Sequence, residues 1–123
     1  MRLESDWRTG DESEGDVAPS VEFFWWEECP SWERALADLR SAMLELELDP
    51  DSILMRRIST EAEAVAEDFP GSPTIRVNGI DVADHPDDLP RGLVCRRYLR
   101  RDRRVSPLPD PTDVREALAA AAG

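Results

Sequence analysis

Residues 21–32 read Val-Glu-Phe-Phe-Trp-Trp-Glu-Glu-Cys-Pro-Ser-Trp. The first six are almost all large and apolar, which predicts a β-strand buried on both faces. Pro30 is a residue favoured at the first position of a helix, because the N–H that it lacks would have no partner there. From Trp32 onward, apolar residues recur every three or four positions and predict a helix to about residue 46. Cys29 is therefore expected between a buried strand and the start of a helix.

The rest of the chain predicts an α/β protein. Thr60 and Glu63 form a capping box that begins a short helix to about residue 69, and Asn78-Gly79 is a strong hairpin turn signal. Further strands are predicted at 53–58, 74–77, 80–82 and 93–99, and a last helix at 112–122. The order is β-α-β-α-β-β-α, with an inserted loop or hairpin before the last helix. This pattern predicts a mixed sheet with helices on both faces.

Length and composition indicate one domain with an acidic extension. Residues 1–19 are acidic and lack periodicity, which predicts a disordered tail, and 20–123 then form the domain. The net charge of −12 argues against nucleic-acid binding. The sequence contains no signal-peptide pattern and no apolar run of membrane-spanning length. We therefore expect a cytoplasmic protein with neither a nucleic-acid nor a membrane partner, whose oligomeric state the sequence leaves open.

Positive charge is concentrated in residues 91–104, which hold seven arginines and one aspartate. One interpretation is a solvated hairpin that balances an acidic body. The other is a cradle for an anionic substrate, such as a carboxylate-bearing thiol or an acidic partner segment, since guanidinium groups bind carboxylates well.

The position of Cys29 favours a reactive thiol. A helix start offers the positive end of the helix dipole and the free N–H groups of Ser31 and Trp32, all of which favour the thiolate. Glu27 and Glu28 oppose it, because their charges disfavour another nearby anion. We therefore expect at most a modestly lowered pKa for Cys29. The competing interpretation is a buried structural cysteine.

Three segments of this chain resemble the thioredoxin-like superfamily. They are residues 26–32 (Trp-Glu-Glu-Cys-Pro-Ser-Trp), 71–79 (Gly-Ser-Pro-Thr-Ile-Arg-Val-Asn-Gly) and 92–98 (Gly-Leu-Val-Cys-Arg-Arg-Tyr). The likeness is closest to a group of small bacterial thioredoxin-like proteins of undefined activity, in which the first position is Phe rather than Trp. The resemblance implies a thioredoxin-like domain in which Cys29 attacks. It also implies a cis peptide before Pro73 that turns the backbone of Ser72 toward a bound chain or thiol.

The resemblance supplies no second cysteine within the motif, because Trp32 stands where a Cys-x-x-C pair would have it. The predicted function is a thiol–disulfide oxidoreductase in which Cys95 or a small thiol resolves an oxidised Cys29. Its substrate would be a protein disulfide or a low-molecular-weight thiol, bound by the residues around the thiol, namely Pro30, Trp32, Ser72 and Pro73. Cys95 is equally consistent with a core cysteine.

Two other functions remain open from the sequence. A thioredoxin-like binding module without catalysis would use the arginine-rich segment as its partner surface. Thiophilic metal or organomercury handling would need Cys29 and Cys95 close together, with His85 as a further candidate ligand. No ligand pair has recognisable zinc spacing, so neither a metal nor a cofactor is predicted.

Overall fold

The computed structural model describes residues 18–83 and 91–122. In this part of the chain the fold is mixed α/β, with a four-stranded sheet, a two-stranded hairpin and three α-helices. The elements are β1 (Val21–Trp25), α1 (Trp32–Glu45), β2 (Leu54–Arg57), α2 (Glu61–Ala66), β3 (Thr74–Val77), β4 (Ile80–Asp81), β5 (Tyr98–Leu99), β6 (Val105–Ser106) and α3 (Pro111–Ala122). Within the same residues no helix has the length and apolar character needed to cross a membrane. Most of the predicted acidic tail, and His85, lie outside the described residues.

The four-stranded sheet has the order β2-β1-β3-β4 and is mixed, as predicted. β1 is parallel to β2 and antiparallel to β3, while β3 and β4 form a hairpin. The hairpin turns at Asn78 and Gly79, both with positive φ, which is the conformation that this residue pair favours. β1, the strand that leads to Cys29, is therefore a central strand supported on both sides.

Helices cover both faces of the sheet. Val21 and Phe23 point to one face and pack with α1 and α3 through Leu39 and Leu118. Phe24 points to the other face, where it forms a second buried cluster with Ile58, Phe69 and the α2 residue Ala64. Because neighbouring strand residues point to opposite faces, the run of aromatic residues in β1 supplies both cores.

The first helix begins later than predicted. α1 starts at Trp32 with Ser31 as its N-cap, rather than at Pro30. A turn intervenes, closed by a hydrogen bond of 3.0 Å from the Cys29 N–H to the Trp26 carbonyl. This turn reorients the chain between β1 and α1, so that Cys29 lies in the turn rather than at the helix cap.

The strand predicted at 93–99 is mostly absent. Only β5 pairs as a strand, with β6, and Cys95 forms an isolated parallel bridge with Ser72.

Candidate functional site

Cys29 is buried, with 3% of its surface exposed. Its thiol donates a hydrogen bond of 3.5 Å to the carbonyl oxygen of Ser72. Residues 43 positions apart in the sequence thus meet at this point. The contact links the turn after β1 to the residue that precedes Pro73.

Ser72 is fully buried and hydrogen-bonded at every polar group. Its N–H donates to the Val94 carbonyl, and its own carbonyl also accepts from the Arg96 N–H, both at 2.9 Å. Its hydroxyl accepts from the Trp26 N–H at 3.0 Å. The Ser72–Pro73 peptide bond is cis, as expected from the resemblance. However, the backbone of Ser72 is already bonded to this chain's own residues 94 and 96.

Cys95 lies at the surface, beside Cys29. It is exposed, so the structure excludes the interpretation of Cys95 as a core cysteine. Partial burial, and after it the neighbouring Cys29 thiol, raise the pKa of Cys95 above its ordinary value. Both cysteines are free thiols, and the fold brings both to Ser72 despite their separation in the sequence.

Arg96 fixes the segment that carries Cys95. Its guanidinium is buried and pairs with Asp81 at 2.7 Å, with further hydrogen bonds of 3.1 Å to the Thr74 hydroxyl and the Ala83 carbonyl. The interpretation of residues 91–104 as solvated is therefore wrong for Arg96. A buried guanidinium is stable only with such partners, so this network holds the residue next to Cys95 in one place.

Tyr98 also fixes the segment that carries Cys95, through contacts with Arg96 and Pro73. Arg96 lies over its ring at 4.3 Å, and its hydroxyl donates to the Pro73 carbonyl. Arg96 and Tyr98 are both buried, while Cys95 and Arg97 are exposed. Because side chains alternate along an extended chain, Arg96 lies on the same side as Tyr98, two residues later. This spacing is the one sequence signal that could have revealed the inward position of Arg96.

Gly71 allows the segment that carries Cys95 to approach Ser72 closely. A Cβ at this position would lie 3.0 Å from the Arg96 backbone, and its φ of +134° is one that other residues rarely adopt. The glycine is therefore required for the segment to pack against Ser72.

The other predicted site residues lie around the thiol in different ways. Trp32 stacks on Trp25 with ring centroids 4.2 Å apart, and it is half-buried. Pro30 is exposed in the turn, as is Glu28, while Glu27 forms an ion pair with Arg57. The carboxylate of Glu27 is thus partly neutralised near the cysteine.

A metal centre has little support from side-chain geometry. In residues 18–83 and 91–122, no group of three or more His, Cys, Asp or Glu side chains could hold a metal ion. The two thiols alone remain as a pair of soft ligands.

Comparisons with protein-family models, with curated proteins and with solved structures found no match to this chain.

Proposed function

We propose that this protein is a thiol–disulfide oxidoreductase whose redox pair is Cys29 and Cys95. The observation that carries the proposal is that both cysteines lie against Ser72, Cys29 through a hydrogen bond to its carbonyl and Cys95 through a backbone bridge. An intramolecular disulfide requires sulfur atoms within bonding reach. Since the segments holding both thiols are fixed to Ser72, one by a thiol hydrogen bond and the other by backbone bonds, the pair is arranged for such a disulfide.

We also propose a thioredoxin-like scaffold. It is supported by the β1–α1–β2 parallel unit, the antiparallel β3–β4 hairpin, and the final helix packed beside α1. The cysteine follows the central strand, and Ser72 leads into the strand antiparallel to it. Trp32 occupies the position where a Cys-x-x-C motif has its second thiol, so Cys95 takes the resolving role from a different segment.

The reaction transfers two electrons. One protein thiolate attacks a substrate disulfide, forms a mixed disulfide and releases the first substrate thiol. The second protein thiol loses its proton to water and attacks the mixed disulfide, which releases the second substrate thiol. The substrate is reduced to two thiols, and the protein is oxidised to the Cys29–Cys95 disulfide. Two equivalents of a low-molecular-weight thiol return it to the dithiol form.

The test is oxidation of the purified protein with diamide, followed by peptide mapping by mass spectrometry. We expect loss of both thiols and a peptide pair joined through Cys29 and Cys95, at protein concentrations low enough to prevent dimers. Protein oxidised in urea is the control: two cysteines allow only this intramolecular pair, so the folded protein should lose its thiols faster than the unfolded chain. Failure to form this disulfide in the folded protein would reject the proposal.

A Cys29→Ser variant distinguishes the main alternative, a binding module without catalysis. Under our proposal this variant cannot complete reduction of a substrate disulfide and instead accumulates a mixed disulfide. An unchanged cellular function in Cys29→Ser would favour the binding module.

The neighbouring thiols also favour a second candidate, the handling of a thiophilic metal such as mercury. Thiolates select soft metals, and two of them suffice for a low coordination number. Titration with Hg²⁺ would then show one ion bound per chain, with binding weakened in either single cysteine variant. Binding of two ions, one at each thiol, would argue against a shared site.

A further inference from the structure

Solvent reaches the two thiols unequally. Cys95 is exposed, whereas Cys29 retains 3% of its surface and points its thiol at Ser72. A bulky disulfide can therefore reach Cys95 without any rearrangement of the chain. Cys95 is therefore the thiol that attacks the substrate disulfide, and Cys29 resolves the mixed disulfide. These roles are the reverse of those that the resemblance implies.

The backbone beside Cys95 has an open edge. The carbonyl of Val94 and the N–H of Arg96 face Ser72 and are bonded to it. In an extended chain, the N–H and C=O of the residue between them point to the opposite side. Among the described residues those two groups of Cys95 have no hydrogen-bond partner. An unpaired strand edge is a template for an added strand, and here it lies directly at the thiol.

Every second side chain from Cys95 to Leu99 is exposed and lies along this same edge. Cys95, Arg97 and Leu99 are exposed, and residues two apart in an extended chain are separated by about 7 Å. The Arg97 guanidinium makes no ion pair or hydrogen bond within the described part of the chain. Leu99 pairs across the hairpin with Val105, and these side chains are 68% and 65% exposed. The surface therefore presents a thiol, a cation and an apolar pair in that order.

We propose that the substrate is an extended, acidic polypeptide segment that carries a disulfide and binds along residues 95–99. This inference rests on the proposed function. The substrate backbone pairs with the N–H and C=O of Cys95, a carboxylate beside the substrate cysteine pairs with Arg97, and an apolar side chain covers Leu99 and Val105. An acidic segment is otherwise repelled by a chain of net charge −12, so the Arg97 charge beside Cys95 favours binding at this place.

The chemical step follows from this placement. The Cys95 thiol loses its proton to water, and its thiolate attacks the nearer sulfur of the substrate disulfide. An S–S bond forms between Cys95 and the substrate, and the other substrate sulfur leaves as a thiolate that takes a proton from water. The Cys29 thiol then loses its proton and attacks Cys95, which releases the bound segment as a thiol and leaves the protein disulfide.

The test uses two synthetic peptides, each with one cysteine activated as a mixed disulfide with 2-thiopyridine. One has aspartates and a leucine beside the cysteine, and the other has lysines and the same leucine. We expect the reduced protein to release thiopyridone roughly fivefold faster from the acidic peptide, a size typical of an exposed ion pair. Arg97→Gln should remove the preference, while Arg103→Gln, with the same loss of charge in the turn of the following hairpin, should keep it.

Three outcomes would overturn the inference. The first is equal rates for the two peptides. The second is an equally fast reaction of an anionic small mixed disulfide without a peptide backbone, which would exclude pairing with the Cys95 edge. The third is mass-spectrometric location of the first mixed disulfide on Cys29 in the wild-type protein.

Failure of the proposed function gives a different result. In Cys29→Ser, the acidic peptide should remain attached to Cys95, so this variant tests the first attack by Cys95 alone. A Cys29–Cys95 disulfide that forms with diamide, without peptide discrimination, would support the redox pair and reject the substrate class. Peptide capture on Cys95 without the Cys29–Cys95 disulfide would support the substrate class and reject the redox pair.

Discussion

The thiol of Cys29 donates a hydrogen bond to the carbonyl oxygen of Ser72, and this oxygen also accepts from the Arg96 N–H. A single backbone oxygen therefore joins the buried cysteine to the segment that carries Cys95. Since the bond needs the Cys29 proton, it is present only while Cys29 is a thiol. Oxidation removes it and leaves the Arg96 N–H as the remaining donor.

We predict that oxidation stabilises the fold. A Cys29–Cys95 disulfide closes a loop of roughly 65 residues and, in the chain-entropy description, adds up to about 4 kcal/mol to the free energy of unfolding. Urea denaturation of oxidised and reduced protein measures the difference. The Cys95→Ser variant is the control and should show the same stability under both conditions. A less stable oxidised protein would mean that the disulfide distorts the native segment.

Gly71→Ala should slow formation of the disulfide. The added Cβ would lie 3.0 Å from the Arg96 backbone, a tight contact that a small shift of the Cys95 segment must relieve. Gly79→Ala is a matched control, because it also has positive φ but has no atom within 4 Å of the new Cβ. Both variants lose stability through backbone strain, on the order of 1 kcal/mol. Only Gly71→Ala should slow the loss of thiols during diamide oxidation, and equal rates would contradict the packing argument.

Arg96→Met should be strongly destabilising. It leaves Asp81, whose side chain is 14% exposed, without its guanidinium, a change that typically costs about 3 kcal/mol or more. Arg101→Met removes ion pairs with Asp113 and Glu116 on an exposed side chain and should cost less than about 1 kcal/mol. Thermal or urea unfolding compares the two variants. Adding Asp81→Asn to Arg96→Met should recover part of the loss.

The phenol of Tyr98 should resist ionisation in the folded protein. Burial raises the pKa of Tyr98 well above its ordinary value, although the Arg96 charge opposes the shift. Below pH about 10 the residue is neutral in both the folded and the unfolded chain, so its contribution to stability is constant. Above that pH the unfolded chain ionises first, so stability falls as the pH rises further.

Absorbance of the phenolate measures this directly, because Tyr98 is the only tyrosine in the chain. The folded protein should show no phenolate signal near pH 10, whereas protein in urea should titrate there. Coincident titration curves would show that Tyr98 is not buried in solution.

Alkylation of Cys95 should require alkaline pH. The thiolate is the reactive form, and partial burial together with the Cys29 thiol raises the pKa of Cys95. The rate of its reaction with iodoacetamide should therefore rise through a midpoint above about 8.5, the ordinary thiol value. Cys29→Ser should lower that midpoint somewhat. A midpoint below the ordinary value in the wild-type protein would contradict the described environment.

Local signals in the sequence predicted the sheet and helices well. The apolar run of β1 gave a central strand, and Asn78-Gly79 gave the hairpin after β3. The capping box of Thr60 and Glu63 is present at the start of α2. These elements follow from interactions within a few residues, which is why pattern and turn chemistry suffice.

The arrangement around Ser72 was predicted only in part. The cis peptide was expected, but the single bridge to Cys95 joins distant segments and has no repeating pattern. The burial of Arg96 contradicts the usual exposure of arginine and depends on Asp81, which belongs to another hairpin. The strand predicted at 53–58 is present as β2, and all four of its residues are exposed at the sheet edge, which its sequence did not indicate.

The closeness of Cys29 and Cys95 also has a consequence for the reduction potential of the pair. Folding and disulfide formation are linked, so a disulfide that stabilises the fold is stabilised by the fold to the same extent. A contribution of about 4 kcal/mol corresponds to a reduction potential lower by roughly 90 mV than that of the same two thiols in the unfolded chain. Folding would thus make the dithiol form a better electron donor, and a denatured chain would lose that advantage while keeping both cysteines.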